Sequence, residues 1–180
     1  YITQRSPEEI RELSKFKKPI FYDGKFFDIK NTLIESVKSL KNLNVNYATV
    51  HLLNGLDALK AANQAAQEID LNLLGVSVLT SFSDKDLESL GFNNKVKDQV
   101  KRLIKIAVEA QLYGVICSPL ETKMIKEIAP NLKCFTPGIR MGEEKDDQKR
   151  TMNANEAIIE GSDCLIIGRP ITKGDPKENI

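Results

Sequence analysis

Asp23, Lys25 and Asp28 place three charges within six residues, directly after the apolar run 19–22. Carboxylates flanking an ammonium can move a proton or hold developing charge. A continuous apolar run reads as a strand buried on both faces. Residues two apart on a strand point the same way, so Asp23 and Lys25 share a direction. In parallel barrels the carboxyl end of a strand faces the active site. A lone D-x-K pattern also fits a surface ion pair at a loop start, so the elements that position these charges matter to the choice.

Two periods alternate along the chain. Apolar runs at 19–22, 47–51, 73–79, 114–117, 132–135 and 164–167 predict six buried strands. Between them lie amphipathic stretches. Residues 31–40 set Leu33, Ile34, Val37 and Leu40 at helical spacing, and 56–69 is Ala-rich. Residues 96–110 carry Val100, Leu103, Ile104 and Val108 on one stripe, and 121–128 and 155–160 add two more helices. A helix over 7–15 is expected as well, with Ser6 as N-cap, Pro7 at N1 and Glu9 at N3. Repeated βα units imply a parallel sheet with helices outside. On pattern alone a doubly wound sheet and a (β/α)₈ TIM barrel both fit. A barrel needs about 200 residues or more, so a barrel reading expects one or two strands before Tyr1.

The 180 residues suit one domain, with 41% hydrophobic and 28% charged side chains. A net charge of +1, from 26 basic and 25 acidic groups, gives no basic excess for nucleic acid. No apolar run approaches the ~20 residues of a membrane span. Cys117, Cys134 and Cys164 are widely spaced and fall in strand-like runs, so buried, reduced thiols in a cytoplasmic protein are expected. With no C-x-x-C pair and a single histidine, His51, a zinc site is not expected. The charged segment 141–149 reads either as a solvated loop or as a lid.

Asp23 through Thr32 reads DGKFFDIKNT, which resembles the D-x-K-x-x-D-I-x-N-T signature of orotidine 5′-phosphate decarboxylases of the bacterial type. The resemblance continues in order through Thr49-Val50-His51, Val78-Leu79-Thr80-Ser81, Cys117-Ser118-Pro119, Thr136-Pro137-Gly138-Ile139-Arg140, Asp147-Gln148-Lys149-Arg150 and Gly168-Arg169-Pro170-Ile171-Thr172. Three positions depart from it: Gly24 replaces a larger residue, Phe27 a common His, and Lys30 a common Pro. In the family, two earlier strands carry a ribose-binding Asp and a Lys of a Lys-Asp-Lys-Asp network. The sequence holds neither, which matches the expected missing front of a single barrel domain over 1–180.

The resemblance implies decarboxylation of orotidine 5′-phosphate to uridine 5′-phosphate, with no metal or organic cofactor. It makes Lys25 the cation and proton donor at C6, with Asp23 and Asp28 as its charged neighbours. The equivalents of Asp28 and Thr32 reach into the partner's site, which implies a homodimer with shared active sites. Arg169, after Gly168 at the end of the last strand, would bind the substrate phosphate through charge-assisted bonds, with Gln148 from the lid. Thr80 or Ser81 would meet the pyrimidine edge, or else cap the helix expected over 84–90. Arg140 would border the closed lid. His51 is expected to be a satisfied strand-end histidine. Two other functions stay open: a sugar-phosphate decarboxylase of the same superfamily, which would require magnesium, and a non-catalytic phosphate-binding barrel.

Overall fold

A computed structural model describes residues 7–140 and 150–179. Its packing divides the chain into two compact units. One holds the residues up to Val76 together with Lys105–Gly114; the other holds Ser77–Ile104 and the residues from Val115 onward.

The first unit contains α1 (Pro7–Ser14), β1 (Phe21–Phe26), α2 (Lys30–Lys38), β2 (Tyr47–His51), α3 (Leu56–Gln67) and β3 (Asn72–Val76). β1 pairs in parallel with β2, and β2 with β3. α2 buries Leu33 and Val37 completely, each contributing about 1.5–3 kcal/mol. It tightens into a 3₁₀ turn, Ser39–Leu43, which ends at Asn44 in the left-handed region (φ 52). α3 turns a seam of Ala58, Leu59, Ala62, Ala65 and Ala66 inward. The polar residue in that seam, Asn63, is satisfied by donating to Gln111 O at 2.9 Å.

The second unit contains α4 (Asp84–Ser89), α6 (Thr122–Ile128), β5 (Lys133–Thr136), β6 (Ile139–Arg140), β7 (Met152–Asn153), α7 (Ala154–Ile159), β8 (Cys164–Leu165) and α8 (Arg169–Thr172). α5 (Val96–Glu109) and β4 (Gly114–Ile116) contribute to both units. β5 pairs in parallel with β8, and the short β6 pairs with β7. No helix among the described residues is long and apolar enough to cross a membrane.

The expected element order holds, with four corrections. β2 through β5 are largely buried, but β1 and β8 are not. Among the described residues each of these two has one strand neighbour, β2 and β5 respectively, so one edge and much of one face stay in solvent. Cys164, on β8, is therefore exposed, whereas Cys117 and Cys134 are buried and free as expected. Val108 is 47% exposed, and Ala107 takes the buried place on α5. The pair β6–β7 has no counterpart in the periodicity, because two-residue strands carry none.

Asp163 ties the start of β5 to the turn before β8. It accepts from Lys126 at 2.6 Å, from Lys133 at 3.0 Å and from the Cys134 backbone N–H at 2.8 Å. Burial pushes its carboxyl upward, but the bonds from Lys126, Cys134 and Lys133 outweigh burial and hold it below the usual carboxylate range. A depressed folded pKa contributes stability that is present above the unfolded value of about 3.9 and is lost as pH falls through the folded value. Asp163→Asn is expected to cost about 1 kcal/mol at pH 7, since part-exposed pairs are screened. Denaturant melts from pH 3 to pH 7 check this: the gap between the two proteins narrows toward the acid end. A gap of constant size at every pH would exclude the charge as its origin.

Candidate active site

The first unit gathers the charged cluster at the exit of β1. Lys25 pairs with Asp23, and both side chains are about half exposed. Simple strand alternation does not produce the pairing. The register with β2 passes from Tyr22↔Ala48 to Phe26↔Val50, so four steps on β1 oppose two on β2. This bulge puts Lys25 in the left-handed region, at φ 46. A non-glycine residue there costs of order 1–3 kcal/mol and persists only when its surroundings hold it. Thr49, fully buried on β2, does so: it accepts from Lys25 N at 2.8 Å and donates to Asp23 Oδ1 at 2.9 Å.

Two of the three departures from the signature, Gly24 and Lys30, have local partners. A Cβ on Gly24 would lie 2.4 Å from the Tyr22 ring. That ring stacks on Phe26, with centroids 5.7 Å apart, so a larger residue would displace Tyr22. Lys30 opens α2 and pairs with Asp57 at 2.8 Å. Phe27 is 64% exposed, and its ring lies 5.7 Å from that of His51.

Asp28 stands apart from the Lys25–Asp23 pair. Its Oδ1 accepts from Ile29 N at 2.7 Å, just before α2. Thr32 is exposed in the first turn of that helix. Among the described residues the buried His51 Nδ1 has no hydrogen-bond partner, against the expectation of a satisfied histidine. Burial, and then the charge on Lys25, lowers the His51 pKa.

The second unit carries the remaining expected residues. Thr80 and Ser81 sit half-buried in a turn after β3. They do not cap α4. Ser83 takes that place, with Asp86 Oδ2 accepting from its N–H at 2.7 Å and from its hydroxyl at 2.5 Å. Arg140 ends β6, and its Nη1 donates to Ile139 O at 2.8 Å. Arg169 does not end the last strand; it opens α8, with Gly168 as the preceding cap residue. The sequence passes through Ile166, Ile167 and Gly168 between β8 and that helix, so the apolar run ends before the arginine. Gln148 lies outside the described residues.

Four residues that organise these segments were not legible as such. Thr49 and Asn54 brace the β1 exit. Arg150 and Glu121 form a largely buried ion pair, with side chains 13% and 7% exposed. Arg150 Nη2 also donates to Val78 O at 3.0 Å and Leu79 O at 2.8 Å. The guanidinium therefore anchors the chain just before Thr80 and Ser81. Glu121 accepts in turn from Ser118 N at 3.1 Å. Thr49 and Arg150 fall inside the quoted motifs, and Asn54 and Glu121 lie two or three residues beyond them, but their partners lie up to 72 positions away.

Parallel strands alternating with helices, with polar groups collected at the strand exits, are the build of a (β/α)₈-barrel enzyme. The crystal structure of orotidine 5′-phosphate decarboxylase from Lactobacillus acidophilus superposes with a TM-score of 0.85 at 33% identity, covering 97% of this chain and 77% of that one. The family model described as Orotidine 5′-phosphate decarboxylase / HUMPS family matches residues 1–180. An orotidine 5′-phosphate decarboxylase from Wolbachia pipientis subsp. Culex pipiens (strain wPip) is 42% identical, covering 96% of this chain and 77% of its own length. Another, from Wolbachia sp. subsp. Brugia malayi (strain TRS), is 39% identical, covering 99% and 80%. The chain belongs to the orotidine 5′-phosphate decarboxylase / HUMPS family.

Proposed function

We propose that this protein decarboxylates orotidine 5′-phosphate to uridine 5′-phosphate, a step of pyrimidine synthesis, without metal or organic cofactor. The observation that carries the reading is the Lys25–Asp23 pair, braced by buried Thr49, in a chain that the family model matches throughout. The C6–carboxylate bond breaks, CO₂ leaves, and the electron pair stays at C6. The Lys25 ammonium stabilises that charge and then delivers its proton to C6. Asp23 keeps the ammonium in place. Thr80 or Ser81 meets the pyrimidine edge, Arg169, Gly168 and Gln148 serve the phosphate end, and Arg140 borders the closed lid.

The chain acts as a single barrel domain within a cytoplasmic homodimer whose sites are shared, with Asp28 and Thr32 serving the partner's site. Two features support the dimer. Asp28 makes no bond to Lys25 of its own chain. Around it, Phe27, Ile29 and Leu53 are 64%, 74% and 42% exposed, an apolar margin suited to an interface. Nucleic acid and membrane are not partners.

Loss of orotidine 5′-phosphate, followed by ultraviolet absorbance, tests the activity. Full turnover is expected after exhaustive chelation. Strict dependence on magnesium would move the function to the sugar-phosphate branch of the superfamily, and no turnover of either substrate class would leave a binding barrel.

A further inference from the structure

We infer that Asn54 is the positioning residue for Asp28, separate from the brace that Thr49 provides for Lys25. The inference rests on the reading above that Asp28 serves the partner's site. Asn54 follows β2 in a short 3₁₀ turn, Leu52–Asn54. Its Nδ2 donates to Phe26 O at 2.9 Å and to His51 O at 2.8 Å, and its Oδ1 accepts from Asp28 N at 2.9 Å. One planar amide thus ties the end of β1, the end of β2 and the Asp28 backbone together. Only an amide side chain offers two donors and an acceptor in that geometry. The Asp28 backbone is then fixed by Asn54, and its Oδ1 by Ile29 N.

The two braces share no atom. Thr49 bonds to Lys25 N and Asp23 Oδ1; Asn54 bonds to Phe26 O, His51 O and Asp28 N. Loss of the Asn54 amide frees the Phe26–Asp28 backbone and leaves the Lys25–Asp23–Thr49 cluster bonded. Asn54→Ala should therefore behave as a defect in Asp28, felt in the partner's site and not in its own.

Subunit mixing in the intact protein tests this. Asn54→Ala alone is expected to lose about tenfold in kcat, the scale of one or two hydrogen bonds. Mixed in equal amounts with inactive Lys25→Ala, it should rise to roughly a quarter of wild type. About half the dimers are then mixed, and each has one site with native Lys25 and native Asp28. Mixed with Asp28→Ala, it should not rise, because both sites of the mixed dimer then lack a correctly held Asp28. A merely structural defect would not discriminate between the two partners. Melting curves establish folding. If the alanine variant fails to fold, Asn54→Asp, isosteric but without the two donors, takes its place in the same mixtures. The control mixes Lys25→Ala with Asp28→Ala. Failure of that control overturns the shared-site reading and the inference with it. Recovery in the control, without recovery for Asn54→Ala plus Lys25→Ala, overturns the inference alone.

Discussion

Lys25→Ala is expected to lower turnover of orotidine 5′-phosphate by about 10⁴-fold or more, while binding of uridine 5′-phosphate changes by no more than about tenfold. Two losses multiply. Removing a fixed charge aimed at developing charge costs about 10²–10³. Removing the general acid costs about 10²–10⁴. The product spares both contributions, because it carries neither the departing carboxylate nor carbanion character at C6. The fold should tolerate the change: the Lys25 side chain is about half exposed, and the Thr49–Asp23 hydrogen bond does not depend on it. Alanine keeps the positive φ that lysine already accepts. Single-turnover kinetics and product titration measure the two effects. A kcat within tenfold of wild type would remove Lys25 from the proton-transfer step.

Arg169→Ala is expected to lower kcat/KM for orotidine 5′-phosphate by roughly ten- to several-hundred-fold. A charge-assisted bond is worth about 1.5–3 kcal/mol, and each 1.4 kcal/mol is about tenfold. The phosphate is remote from C6, so its contacts act through binding energy that organises the reacting end. The discriminating substrate is orotidine, which lacks the phosphate. Wild type should turn it over poorly, and Arg169→Ala should cost almost nothing further. Equal damage with both substrates would make Arg169 a structural residue of α8 and not the phosphate ligand.

The sequence by itself determined the alternation of strands and helices. Continuous apolar runs and 3.6-residue stripes report which faces are buried, and burial is a local property of pattern: Leu33 and Val37 on α2, or Val100, Leu103 and Ile104 on α5, are buried as their spacing requires. The DGKFFDIKNT segment likewise carried the charged cluster, because its residues are neighbours in the chain. Tertiary structure decided how that cluster is held. The bulge at β1, the positive φ of Lys25 and its pairing with Asp23 depend on a hydroxyl 24 positions away, on Thr49. Asn54 reaches Asp28 across 26 positions, and Arg150 reaches Leu79 across 71. Side-chain bonds of that range leave no period in the sequence, since any polar residue of the right type looks the same before the chain is folded. Exposure at β1 and β8 was hidden for a related reason: an apolar run records what a strand can bury, whereas the number of its neighbours sets what it does bury.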